Sequence, residues 1–266
     1  MEFSLNVATQ NIHLVNYVNN VVPVQVWINS SSFLPPEHSY QLSGGYTKQL
    51  KNFTFSSNLF GRFVQNVLDF ATPTFTESNE IESNLLPGHI LATGIESMVK
   101  FEPGSIYSFS LGYSYLYARQ KTPGVNFDKY YPTLYNRPHY FNFSQYLSLT
   151  KKWEISSNLI IHSPTSITLP NGQFILNGVA FPLFSEFRNN EKLPFYARLD
   201  ISATRRLGIK KNRDNFWLTI NFQNVLGRFN PSVIYLAPNS VEPSQLDIQS
   251  TDFTPFLLTA TLNFKF

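Results

Sequence analysis

Cysteine is absent from the 266 residues. That removes disulfide frameworks, zinc–thiolate sites and cysteine nucleophiles together. Charge is scarce as well: Asp, Glu, Lys and Arg make up 14% of the chain, where a soluble domain carries about 25%. The net formal charge is +3, with both signs scattered and no basic block, so the sequence gives no support to a nucleic-acid partner. Long apolar runs are missing too, and no stretch approaches the roughly 18 residues of a helical membrane span. The first ten residues, MEFSLNVATQ, show no charged n-region followed by an apolar h-region, so no signal peptide is expected.

What the chain has in excess is aromatic side chains, 16% of residues with 25 Phe and 14 Tyr. Low charge, abundant aromatics and no continuous hydrophobic run fit transmembrane β-strands, which show lipid only at every second position. A soluble β-sandwich alternates as well, so strand and connector lengths decide between the two. The stretch from Phe253 to Phe266 puts Phe256, Leu258, Ala260, Leu262, Phe264 and Phe266 on one face. Leu257, Thr259, Thr261, Asn263 and Lys265 fall on the other. The same period of two runs through Phe216–Gln223, Phe195–Thr204, Trp153–Ile161, Tyr140–Leu149 and Tyr107–Tyr117, and more weakly through 2–16, 37–49, 53–69 and 88–102. Ten strands are expected, and an even number puts both chain ends on one side of the membrane.

Connectors alternate in length. Residues 50–52, 102–104, 150–152 and 208–215 are short; 17–36, 70–87, 119–135, 163–193 and 227–252 are long. Short periplasmic turns and long extracellular loops are the habit of outer-membrane barrels, and a soluble meander has no reason to keep that bias. Sixteen of the 17 prolines fall in the expected loops, turns or strand ends, and Pro255 sits near the start of the last strand, where a missing N–H costs little. The expected fold class is therefore all-β, an antiparallel transmembrane β-barrel of about ten strands. Its surroundings would be membrane lipid, with Tyr and Trp at strand ends as interfacial girdles.

Several stretches, in order, carry a likeness to a known family. They are Asn11-Ile12-His13-Leu14, Val26-Trp27-Ile28, Leu34-Pro35-Pro36-Glu37, residues 40–46 (YQLSGGY), residues 91–96 (LATGIE) and residues 135–139 (YNRPH). Further along come residues 166–172 (SITLPNG), Arg188-Asn189-Asn190, residues 194–200 (PFYARLD) and residues 222–231 (FQNVLGRFNP). Together they resemble the C-terminal part of a TonB-dependent outer-membrane receptor barrel. The resemblance implies a barrel of 22 strands with a plugged lumen, of which residues 1–266 would form a single transmembrane barrel domain or a C-terminal half-barrel, without a plug domain. It implies a receptor or transporter component of the bacterial outer membrane. A partner chain would bear the plug and the N-terminal barrel strands. It further implies that Phe264 and Phe266, in the terminal aromatic strand, serve recognition by the outer-membrane insertion machinery. A self-closed ten-strand pore and a structural barrel are the alternatives; an outer-membrane hydrolase is the least supported.

Candidate chemistry is thin. The histidines His13, His38, His89, His139 and His162 are widely spaced and form no metal-ligand motif. His139 with Asp128 and Ser144 is a triad only by proximity in sequence. No catalytic residue, metal or cofactor is expected. Glu96, Glu154 and Asp200 fall on inner-face positions and read as structural ion-pair members before acid–base groups; Arg198 and Asp200 share a face two residues apart and are placed to pair. Phe174, Phe181, Phe184, Phe187, Arg188, Arg228, Phe229 and Tyr235 occupy the two longest loops, where packing of the loops is the favoured role over ligand contact.

Overall fold

The computed structural model describes the chain except residues 19–22, 72–80, 135, 208–215, 232, 243–244, 253–254 and 265–266. Ten long strands form one continuous sheet in chain order. They are β1 (Glu2–Gln10), β2 (Glu37–Leu50), β3 (Phe53–Phe70), β4 (Leu85–Phe101), β5 (Tyr107–Lys121), β6 (His139–Thr150), β7 (Trp153–His162), β8 (Tyr196–Arg206), β9 (Phe216–Gln223) and β10 (Leu257–Phe264). Each pairs antiparallel with the next, as short turns at one end require. Among the described residues β1 and β10 are the two free edges, so the sheet is an open arc.

Register fixes the two faces, because a slip of one residue exchanges every side chain between them. Rows such as Leu111–Phe143–Leu159–Leu199 point one way, and Gly112–Asn142–Ile160–Arg198 the other. The first face is an apolar exterior that stays exposed, with Leu5, Leu42, Leu59, Leu258 and Leu262 among its open side chains. The second is small and polar. All six carboxylates of the ten strands, Glu2, Glu37, Asp69, Glu96, Glu154 and Asp200, take positions of that inner face. The outer face holds Lys48, Arg119, Lys121 and Arg205, each near a strand end. An apolar band with charge only at its rims is what lipid selects.

Strands β2 to β5 outrun the bilayer. β3 is 18 residues long, whereas crossing an apolar band of about 25 Å at a tilt near 45° takes about 11. The excess projects at the long-loop end and builds a small core there. Val15, Leu34, Leu68, Phe70 and Leu85 are buried together, with Ile28 against them. A bulge at Asn66 makes this possible: pairing steps from Gln65↔His89 to Val67↔Gly88, and Asn66 takes a left-handed φ of 60°. The extra residue swaps the faces beyond it. Leu68 and Phe70 turn outward beneath the loop hairpin, and Asp69 turns inward.

Three boundaries differ from the sequence reading. The stretch 2–16 is not one strand: β1 stops at Gln10, opposite Glu37 where β2 begins, and Ile12–Val18 leaves the sheet to pair with Pro23–Asn29. Alternation continued through the break because both halves are strands, in different sheets. The long loops are likewise not structureless, since Pro170–Leu176 pairs with Val179–Phe184 and Val233–Pro238 with Leu246–Thr251. Within the stretch 253–266, the described strand is Leu257–Phe264, beginning after Pro255 and Phe256, and residues 265–266 lie outside the described residues.

Gly94 shows how tightly the wall is built. A Cβ there would stand 2.5 Å from the Tyr115 carbonyl oxygen and 2.7 Å from the Phe60 ring, while one at Gly61 would meet nothing within 4 Å. The Gly94→Ala variant is expected to lose about 1–3 kcal/mol of stability by overpacking. Gly61→Ala is expected to be neutral, and the folded fraction on a semi-native gel separates the two.

Candidate functional site

Two surfaces have the construction of a working site: the inner wall and the cap of loops above it. On the wall, small polar side chains bond across strands. Ser4 and Ser43 meet at 2.7 Å, Ser144 donates to Asn158 at 2.7 Å, Thr204 and Thr219 meet at 3.0 Å, and Arg62 Nε donates to Gln41 at 2.8 Å. Serine, threonine, asparagine and glycine leave space in front of the sheet. Such a lining suits a wide lumen better than a packed narrow core. A shallow concavity near the short-turn end is lined by Glu2, Gly45, Asn58, Glu96 and Met98.

The expected pair of Arg198 and Asp200 is present, Nε to Oδ1 at 2.8 Å. The Asp200 carboxylate also accepts from the backbone N–H of Asn224, tying β8 to the loop that follows β9. Glu154 pairs with Arg206 at 2.6 Å. Of the three carboxylates singled out in the sequence, Asp200 and Glu154 thus stand in ion pairs. Glu96 has no ion pair among the described residues and faces the concavity.

The cap is centred on a polar cluster that sequence order does not reveal. Tyr131 donates to Asp69 Oδ2 at 2.6 Å and meets Thr122 at 3.0 Å. Arg188 donates through Nη2 to the Phe70 carbonyl at 2.7 Å, and its Nε stands 4.0 Å from Asp69 Oδ2. The Arg188 backbone N–H donates to Asn126 Oδ1 at 3.0 Å. Burial first, and then the neighbouring Asp69 carboxylate, push the Tyr131 phenol above the usual tyrosine range. It therefore stays protonated and donating at any physiological pH. This cluster joins the end of β3 to the loops that follow β5 and β7.

The remaining loop residues sort by what they touch. Phe174 and Phe181 stack across their hairpin at 5.4 Å, Phe187 packs on Phe127 at 5.2 Å, and Tyr235 donates to Gln249 at 3.1 Å. Arg228 lies 3.7 Å from the centre of the Phe195 ring and donates to its carbonyl. Phe184 sits opposite Pro170 in its hairpin, and Phe229 is exposed. These contacts are packing within the loops.

His139, Asp128 and Ser144 are not assembled. His139 takes an outward position and meets the Tyr113 hydroxyl at 2.9 Å, Ser144 points inward to Asn158, and Asp128 accepts from the Gly124 N–H. His13 is buried between Glu37 and Ser30 and pins the first hairpin. Phe264 is on the outer face with its ring 5.2 Å from Phe216; Phe266 lies outside the described residues.

An antiparallel open arc with an apolar exterior, a polar interior and loops packed at one end has the architecture of a partial transmembrane β-barrel, and the structural comparisons agree at the level of fold. The chain superposes on the ferripyoverdine receptor of the outer membrane of Pseudomonas aeruginosa with a TM-score of 0.56 and 13% identity, over 87% of this chain and 27% of that one. It superposes on the FrpB iron transporter from Neisseria meningitidis with a TM-score of 0.59 and 11% identity, over 99% of this chain and 37% of that one. For the outer-membrane transporter YddB from Escherichia coli the values are 0.58 and 12%, over 90% and 34%. The chain thus spans about a third of these proteins. The resemblance to TonB-dependent receptor barrels holds at the level of fold. No family model matches the sequence, and no curated protein matches it significantly.

Proposed function

We propose that this chain is the C-terminal half-barrel of a receptor-type importer in the bacterial outer membrane, completed by a partner chain that supplies the plug and the remaining strands. One observation carries the reading: among the described residues the sheet ends on two strands, β1 and β10, with no neighbour at their outer edges. Unsatisfied backbone groups in lipid are costly, so both edges call for neighbours. The small, polar inner wall supports a wide, plugged lumen. Ferric chelates are the first ligand class to test, since the names of several structural relatives mention iron or siderophores. Ligand selection would then fall to the plug and the cap.

The self-closed ten-strand pore requires a β1–β10 contact, and the sheet order contains none among the described residues. The test is mass spectrometry of polypeptides that co-purify with this chain from outer membranes. A companion bearing a plug and further strands supports the reading; recovery of the chain alone in a folded, membrane-integrated form refutes it.

Phe264 is proposed to act in assembly. Its ring lies on the outer face of the last strand beside Phe216, and Phe264→Ala is expected to lower the amount inserted several-fold. The affinity for a ligand in whatever inserts should be unchanged, as measured by outer-membrane yield against binding per inserted molecule.

A further inference from the structure

The outer face carries cations only near its rims, and one of those rims is organised. Arg119 and Lys121 take consecutive outward positions on β5, opposite Leu91 and His89 of β4. The Arg119 guanidinium lies 5.4 Å from the centre of the Tyr117 ring, and Lys121 Nζ lies 6.0 Å from that of Tyr130. His89 bonds the Tyr130 hydroxyl at 2.9 Å and packs on Phe63. Neither cation has a carboxylate partner among the described residues, and Arg119 Nε is enclosed without an acceptor. The acidic groups of the strands are all on the opposite face, so nothing on this one neutralises the pair.

Height decides what meets them. Phe101 and Phe109 form an outward row at the short-turn end, and His89 and Lys121 form the row twelve residues along the same two strands. At about 3.3 Å per residue and a tilt near 40–45°, twelve residues rise about 30 Å, slightly more than an apolar band of about 25 Å. The Lys121 row therefore sits at the headgroups of the leaflet on the long-loop side. Arg119, one row lower, reaches the same level by extending its side chain.

We propose that Arg119, Lys121 and His89, framed by Tyr117 and Tyr130, form a binding site for the phosphate of an anionic lipid headgroup in the outer leaflet. The site rests on the barrel reading above, since only a spanning arc places this row at headgroup height. A guanidinium and a lysine beside it, neither with a carboxylate partner among the described residues, match phosphate oxygens, and the aromatic frame holds both cations in place. A lipid-borne phosphate is favoured over a free one because the patch faces outward, beside acyl chains rather than the lumen.

The test is native mass spectrometry and titration of the chain, purified with whatever segments accompany it, against diphosphorylated lipid A. Phosphatidylethanolamine and inorganic phosphate are the comparison arms. Wild type is expected to retain lipid A, and the Arg119→Gln/Lys121→Gln variant to bind it at least about tenfold more weakly, with unchanged membrane yield. The charge-preserving Arg119→Lys/Lys121→Arg variant should bind within about threefold of wild type. Equal lipid A binding by wild type and the glutamine variant overturns the proposal. So does equal binding of phosphatidylethanolamine, or displacement of lipid A by millimolar phosphate. Resistance to alkaline carbonate extraction reports the barrel separately: extraction of wild type removes both readings, whereas an embedded chain with no lipid A preference removes only this one.

Discussion

An arginine at Leu159 is expected to abolish most of the folded protein, while an arginine at Ser156, three residues away, leaves it nearly intact. Leu159 lies in the outward row between Phe143 and Leu199, at mid-height of β7. A cation at that depth in lipid costs about 2–4 kcal/mol, a large share of a stability that totals only about 5–15 kcal/mol. Ser156 points inward between Tyr146 and Ser202, where a cation meets water or polar groups and the cost is about 0.5 kcal/mol or less. Protease-resistant protein recovered from outer membranes reads the contrast. Equal behaviour of the two variants would mean that the faces are assigned wrongly.

Arg188→Met is expected to open the loop cap without touching the membrane arc. The side chain is 7% exposed and lies 4.0 Å from the partly buried Asp69 carboxylate. Removing one member of a fully buried ion pair costs about 3–5 kcal/mol because the other is left unneutralised; with a 4.0 Å separation and a partly exposed Asp69, the loss here is expected at about 1–3 kcal/mol. Hydrogen exchange should speed up in residues 163–193 and around Tyr131, while β4 and β5 below them keep their protection. Asp69→Asn in the Arg188→Met background relieves the stranded charge, so part of the loss should return. A uniform loss of protection across the arc would show that the cluster holds up the whole fold instead.

The membrane part of this structure was legible because lipid enforces a simple rule. A strand in the band must alternate, and Phe216 to Phe222 or Tyr107 to Tyr117 display that alternation directly. The inward positions of Glu96, Glu154, Asp200 and Arg198 followed from the same parity, and so did the Arg198–Asp200 pair two residues apart. Above the band the rule lapses. The Asn66 bulge inverts the faces of Leu68, Asp69 and Phe70 with no mark stronger than one asparagine, a residue that tolerates φ > 0. The cap cluster was beyond reach because Arg188 bonds a carbonyl 118 positions away, and only the loop path brings them together. Asp69 and Tyr131 therefore look ordinary in the sequence. The rim patch lay between these cases: the parity of Arg119 and Lys121 is readable, but the extension of the strand to Lys121 and the return of Tyr130 beside it are not.

The central claim is that this arc needs neighbours at β1 and β10, and the most direct test is the state of the chain expressed by itself in outer membranes. Native mass in detergent, together with gel mobility before and after heating, reports it. The expected result is no heat-modifiable, protease-resistant monomer, with folded material appearing only in complexes that contain further strands. A stable monomer of the chain's own mass that shifts on heating would contradict the account and establish a self-closed barrel.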